Sequence, residues 1–237
     1  VVLGAPRYLA LCARYTEPLV AAELRALPEV EAVEPGHGMV TFGGPPAALY
    51  RANLHLRCAS RVLRLLADTS CSGAEDLYAA ARAVPWEEFL RPDGTLAVSA
   101  HGLAPGLDNS MYAALRVKDA VCDRFRDRHG VRPDVDVRQP MLRINVQLYD
   151  ADPQAPGSGG SGRPRAPRCA LGIDSSDPPL HRRGYRHDGG EAPLKETLAA
   201  AILALTGYPQ PNGDGSGDGD ALPPLPPLPP LPPLIDL

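Results

Sequence analysis

Residues 109–128 read Asn109-Ser110-Met111-Tyr112-Ala113-Ala114-Leu115-Arg116-Val117-Lys118-Asp119-Ala120-Val121-Cys122-Asp123-Arg124-Phe125-Arg126-Asp127-Arg128. Met111, Ala114, Val117, Val121 and Phe125 recur at steps of three and four, which on an α-helix draws one apolar stripe. The other side carries Arg116, Lys118, Asp119, Asp123, Arg126 and Asp127. The spacing predicts an amphipathic helix over 110–128, with Asn109 or Ser110 as its N-cap. Upstream, Arg61 to Ala67 reads as a strand, Ala74 to Val84 as a helix and Thr95 to His101 as a strand of alternating apolar positions. Downstream, Leu142 to Leu148 alternates with Ile144 and Val146 on one face, and Cys169 to Ile173 reads as its return partner. Between those two strands, 151–168 is rich in Pro, Gly, Ser and Arg, the composition of a disordered hairpin insertion.

Further out, the N-terminal region has a rhythm of its own. Tyr8, Ala10 and Cys12 alternate with Leu9, Leu11 and Ala13, a strand buried on both faces. Glu17-Pro18 starts a helix striped by Leu19, Ala22, Leu24 and Leu27 and ended by Pro28. Val30 to Val33 and Met39 to Phe42 read as strands joined through Pro35-Gly36, and Pro45-Pro46 opens a second short helix through Leu54. Strand–helix–strand–strand–helix suits a small α+β unit with both helices on one face of an antiparallel sheet. At the other end Leu194 to Leu205 reads as a helix closed by Gly207. Beyond it lie an acidic glycine tract, Asn212 to Asp220, and a Pro-Pro-Leu repeat. In a polyproline II rod, with three residues per turn, Leu222, Leu225, Leu228, Leu231 and Leu234 would line one edge. Such a rod is a spacer or a handle for a polyproline-binding protein.

The formal charge of the 237 residues is −4, but its whole excess comes from Asp214, Asp218, Asp220 and Asp236, so residues 1–208 are balanced. Within them Arg163 to His187 holds six arginines against two aspartates, a local concentration suited to an anionic partner. The cysteines, Cys12, Cys58, Cys71, Cys122 and Cys169, are odd in number and form no C-x-x-C pair, which argues against a disulfide framework or a zinc site and for buried thiols in a reducing compartment. The longest apolar run, Leu198 to Leu205, is far short of the roughly 20 residues of a membrane span. The chain opens on Val1, so a transit peptide ahead of it is left open.

Fragments that imitate active sites fail on context. Gly157 to Gly162 has no strand before it and no Lys-Ser/Thr after it. Asp214-x-Ser216-x-Asp218-Gly219 imitates half a calcium loop, but its twelfth position is Leu225. Asp177-Pro178-Pro179-Leu180 follows an apolar strand like the motif with which amino-group methyltransferases hold their target nitrogen. Leu180 takes the place of that motif's aromatic and no glycine-rich cofactor loop accompanies it, so it reads as a turn leaving a strand. The histidines show no metal-ligand spacing. No catalytic constellation is present, and no metal or cofactor site is expected in this chain.

Leu180-His181-Arg182-Arg183-Gly184-Tyr185-Arg186, followed by Ala192-Pro193-Leu194-Lys195-Glu196-Thr197-Leu198-Ala199-Ala200-Ala201-Ile202, closely resembles the linker region of the bacterial-type (23S-type) large-subunit ribosomal RNA guanine-N2 methyltransferases that carry a THUMP domain. Asn109 to Ala120 resembles the THUMP helix of that family, Arg143-Ile144-Asn145-Val146 its following strand, and Arg132-Pro133 with Val135-Asp136 the approach to it. The resemblance implies an α+β architecture: a ferredoxin-like unit (1–58), a THUMP domain with a mixed sheet (59–187), a linker helix (188–208), and a disordered acidic and Pro-Pro-Leu tail (209–237). It also implies an S-adenosylmethionine domain after the linker; Pro233-Leu234-Ile235-Asp236 resembles its first strand, and its cofactor loop and catalytic motif have no counterpart in this sequence. The chain also departs from the family at Ala13-Arg14-Tyr15-Thr16-Glu17, where Tyr15 replaces a usual glycine.

The function this implies is docking of ribosomal RNA for an S-adenosylmethionine-dependent guanine-N2 methyltransferase. The RNA-binding part of a transfer-RNA methyltransferase, or a non-catalytic RNA-binding or polyproline-recruitment protein, are the alternatives. The implied setting is intracellular, in a cytoplasm or an organelle with bacterial-type ribosomes, and no membrane partner is expected. RNA offers phosphates and, where unpaired, base faces. Arg182, Arg183 and Arg186 would supply bidentate phosphate donors around the stacking ring of Tyr185. Arg116 and Lys118 on the polar side of the 110–128 helix would add phosphate contacts, and Arg163, Arg165 and Arg168 on the hairpin tip would add affinity without geometry. His181 and His187 flank the arginines as phosphate or base contacts. The competing reading is that these arginines merely solvate a surface and Tyr185 packs on the last helix.

Overall fold

A computed structural model describes residues 6–102, 104, 106–149, 167–186 and 191–206. The first half is a four-stranded antiparallel sheet carrying two helices. β1 (Arg7–Cys12) lies between β3 (Met39–Gly43) and β4 (Ala59–Ser70), and β2 (Glu31–Pro35) is the edge beyond β3. Helices α1 (Glu17–Arg25) and α2 (Pro46–His55) bury Val20, Ala21, Leu24, Ala48, Leu49 and Ala52 against Tyr8, Ala10, Val40, Phe42 and Val62 of the sheet. This is the ferredoxin-like order β2-β3-β1-β4, with both helices on one face as the sequence pattern predicts. Alternation explains it: even-numbered positions of β1 meet the helices, and Leu9 on the other face joins Met39, Leu63 and Ala170 in a separate small cluster.

The expected seam between two units, after residue 58, falls at the start of β4, and β4 is shared. Its second edge pairs antiparallel with β8 (Arg168–Asp174), which pairs antiparallel with β7 (Leu142–Tyr149). Parallel pairing then adds β5 (Thr95–His101) and a two-residue β6 (Asp134–Val135) that the sequence pattern does not signal as a strand. One eight-stranded mixed sheet results, in the order β2-β3-β1-β4-β8-β7-β5-β6. α3 (Ala74–Ala83) and α4 (Ser110–His129) cover its second half, and their core with Ile144, Val146, Leu148 and Leu171 closes around the fully buried Trp86.

α4 corrects one expectation. Its buried positions are Ala113, Val117, Ala120, Val121, Cys122 and Phe125, whereas Met111 is 72% exposed and Ala114 only half-buried. The buried stripe begins at Ala113, two positions after Met111, and so runs along a slightly rotated face of the helix. Asn109 caps the helix, its side-chain oxygen accepting the backbone N–H groups of Met111 at 2.8 Å and Tyr112 at 3.3 Å. Gly130, at φ +72°, closes the other end in the left-handed conformation.

The base of the β7–β8 hairpin is clasped. Asp68 of β4 accepts hydrogen bonds from the Tyr149 hydroxyl at 2.7 Å and Arg168 Nε at 3.0 Å, and the Cys71 N–H donates to the Pro167 carbonyl at 2.7 Å. Arg168, expected on the tip, is therefore a residue of β8 held by an ion pair; Arg163 and Arg165 lie outside the described residues, as do His187, Gly207 and the Pro-Pro-Leu repeat. The described cysteines are free thiols, four of them buried, and burial pushes Cys58 up to about 12. Among the described residues no helix is long and apolar enough to cross a membrane, and no cluster of side chains is arranged to hold a metal ion.

Replacing Asn109 with Ala removes the α4 cap. The expected loss is about 1 kcal/mol, read as a lower urea midpoint with an unchanged slope.

Candidate nucleic-acid interface

After β8 the chain continues along β4 toward that strand's start. The Ser175 N–H donates to the Val62 carbonyl at 3.0 Å, and the Leu180 N–H to the Ser60 carbonyl at 2.9 Å. Asp177-Pro178-Pro179-Leu180 is thus a structural turn. Asp177 accepts Arg143 Nε at 2.9 Å, and Leu180 is buried among the apolar residues of α2 and β4. A residue sunk in the core cannot line a nucleotide pocket.

The next six residues divide by what their side chains do. Arg183 spans a gap in the fold: Nη1 donates to the Leu54 carbonyl at 2.9 Å, Nη2 to the Leu56 carbonyl at 2.7 Å, and Nε to the nearby Leu180 carbonyl at 3.2 Å. The carbonyls at the end of α2 lack helical partners and carry the negative pole of the helix, so a planar cation there is doubly favourable. Arg186 is held as well. Its Nε pairs with Glu196 at 2.9 Å and its Nη2 donates to the Leu194 carbonyl at 2.8 Å, tying the segment to the start of α5 (Glu196–Leu205). α5 packs through Ala201 on the ferredoxin-like core.

Arg182 and Tyr185 are left on display. Tyr185 is 62% exposed, and neither side chain meets a hydrogen-bond or ion-pair partner among the described residues. His181, next to Arg182 in the chain, has a buried Nδ1 with no hydrogen-bond partner among the described residues. Burial first, then the positive charges of Lys195 and Arg182, hold its imidazole below the ordinary histidine range. The Glu196 carboxylate opposes that effect. Lys195, exposed at the N-cap of α5, is a residue that the sequence pattern does not single out. A lone lysine before a helix is too common a signal to do so.

The two α4 cations lie apart from this segment. Arg116 pairs with Glu75 at 2.8 Å and lies over the Tyr78 ring at 4.6 Å, and Lys118 pairs with Asp119 at 2.5 Å. Both are mostly buried along their stems. The structure therefore joins Arg182, Arg183, Tyr185 and Arg186 in one segment but gives the four side chains two kinds of work.

Comparison with known proteins follows the same division of the chain. Residues 7–63 match the RlmL ferredoxin-like domain and residues 71–152 the THUMP domain. Ribosomal RNA large subunit methyltransferase K/L of Syntrophotalea carbinolica is 44% identical over 203 residues, which is 86% of this chain and 26% of that protein. Among solved structures, a protein of Listeria monocytogenes described as a predicted N6-adenine-specific DNA methylase superposes with a TM-score of 0.67 at 26% identity, over 87% of this chain and 50% of its own. TrmN of Thermus thermophilus superposes with a TM-score of 0.57 at 26% identity, over 86% of this chain and 55% of its own. The chain spans about a quarter to a half of the length of the curated relatives it matches.

Arg183→Ala leaves the last α2 carbonyls without their cation. It is expected to lower stability by about 2 kcal/mol, and Arg183→Lys, which cannot fork between two carbonyls, is expected to recover less than half in the same thermal melt.

Proposed function

We propose that this chain, an RlmL ferredoxin-like domain followed by a THUMP domain and related to large-subunit ribosomal RNA methyltransferases, is the RNA-docking part of an S-adenosylmethionine-dependent ribosomal RNA guanine-N2 methyltransferase. The observation that carries this reading is the Leu180–Arg186 segment. It is pinned to α2 by Arg183 and to α5 by Arg186, so Arg182 and Tyr185 are presented from a backbone that need not be ordered on binding. Pre-organisation matters because each side chain or loop fixed on association subtracts from affinity.

The chemistry suits an unpaired RNA segment. Arg182 and Lys195 meet phosphates, the first as a fork and the second as a point charge. Tyr185 offers a face to a base whose edge is not locked in a helix. Arg183 and Arg186 are positioning residues under this reading, and Arg116 and Lys118 contribute only by exchanging a carboxylate partner for a phosphate. The methyl donor would be held elsewhere in the protein; the part played by this chain is to bring RNA to it. Its place of work is an intracellular compartment that assembles bacterial-type ribosomes.

Arg182→Ala with Lys195→Ala should weaken binding of a large-subunit ribosomal RNA transcript and reduce the slope of log affinity against log salt by about 0.7 for each single-strand phosphate that is no longer neutralised. Tyr185→Ala should weaken binding by about 1 to 3 kcal/mol with the slope unchanged. Full affinity and an unaltered slope in the triple variant would remove this segment from the interface. Stronger binding of transfer RNA than of the ribosomal transcript would favour the transfer-RNA alternative.

A further inference from the structure

Tyr15 occupies a backbone position that an aromatic residue disfavours. Residues Ala13, Arg14, Tyr15 and Thr16 form a tight turn closed by the Thr16 N–H on the Ala13 carbonyl at 3.2 Å, with the Thr16 hydroxyl on the same carbonyl at 2.7 Å. Tyr15, third in the turn, has φ +72°. A positive φ at the third position is the pattern of a type II turn, which favours glycine, because an L side chain there crowds its own carbonyl. Packing does not compensate for this strain: Tyr15 is 88% exposed, and its hydroxyl meets no partner among the described residues.

The turn beneath it is firm. Thr16 and Glu17 are buried, and Glu17 Oε1 accepts the Gly38 N–H at 2.6 Å. The Tyr15 ring is therefore carried outward on a fixed base. Arg14 beside it is exposed and without an ion-pair partner among the described residues. Strained backbone that the surrounding structure enforces tends to mark a functional contact.

Topology places this turn with the segment already described. β1 ends at Cys12, which pairs with Ala59 at the start of β4. The Ser60 hydroxyl donates to the Leu11 carbonyl at 3.0 Å, and the Ser60 carbonyl accepts the Leu180 N–H. Arg14–Tyr15 and Arg182–Tyr185 thus leave the same end of the ferredoxin-like sheet, each an exposed ring next to an unpaired arginine.

We propose that Tyr15 is a second base-stacking platform and Arg14 its phosphate contact, so that one single-stranded RNA segment runs from the ferredoxin-like unit to the linker. This rests on the RNA-docking reading above. Two rings on separate loops require bases splayed apart, which a duplex does not offer, so the surface selects unpaired RNA.

The test uses the full chain, fluorescently labelled oligoadenylate, and the same strand paired with oligouridylate. Tyr15→Gly relieves the turn while deleting the ring. The expected result is a Tm unchanged or raised by about 2 °C, with affinity for the single strand lowered about tenfold and affinity for the duplex unchanged. Tyr15→Phe should bind the single strand like the wild type. Undiminished binding of the single strand by Tyr15→Gly overturns the role of Tyr15 while leaving the docking reading standing, and so does a loss of binding accompanied by a lower Tm, which would make Tyr15 a structural residue. A wild-type chain that binds neither strand nor duplex overturns both.

Discussion

The fold depends on β4 being paired along both edges. Its first half completes the ferredoxin-like sheet by pairing with β1, and its second half carries the THUMP sheet by pairing with β8. The register shift at Leu65/Ala67 in the pairing with β8 falls where β4 passes beyond its pairing with β1, which ends at Leu65. Because backbone hydrogen bonds run across the junction, the two domains are not beads on a linker. The return segment from Ser175 to Leu180 uses the same strand as its rail, so the position of Arg182 and Tyr185 is inherited from β4.

Charge is used sparingly on this molecule. Arg61, Arg82, Arg124, Arg143 and Arg168 each sit on a carboxylate, and these pairings hold strands and helices in place. Among the described residues, Arg14, Arg182 and Lys195 face solvent without a carboxylate partner at one end of the ferredoxin-like sheet. A balanced overall charge is compatible with a local positive field, since screening limits each exposed charge to about 8 Å at physiological salt. Under the proposed function, attraction for a polyanion is strongest close to such exposed arginines.

Local order was legible in the sequence, and long-range partnership was not. The helices over 17–25, 46–55, 74–83 and 110–129 and the alternating strands follow from apolar periodicity, caps and prolines within a few residues of their observed ends. The union of two sheets could not be read, because it depends on Leu63 facing Asp174 across more than a hundred residues of chain. The same limit divides the candidate site. An arginine-rich stretch with a tyrosine stands out in the sequence, but Arg183 is occupied by carbonyls of Leu54 and Leu56, and nothing within the stretch foretells that. Met111 misled for another reason: helical spacing offers more than one apolar face, and the packing chose the one through Ala113, Val117 and Val121. The resemblance of 109–120 and 180–202 to one methyltransferase family carried what periodicity could not, namely that the two halves belong together.

The clasp at the foot of the β7–β8 hairpin has a consequence for how this protein can change. Asp68, Tyr149, Arg168 and the Cys71–Pro167 bond fix the two strand ends, so the fold is closed before the chain between them is counted. Doubling the length of such a loop adds only about 0.6 kcal/mol of closure entropy. The register of β7 against β8 is therefore set by contacts at the strand ends themselves and not by the sequence that joins them.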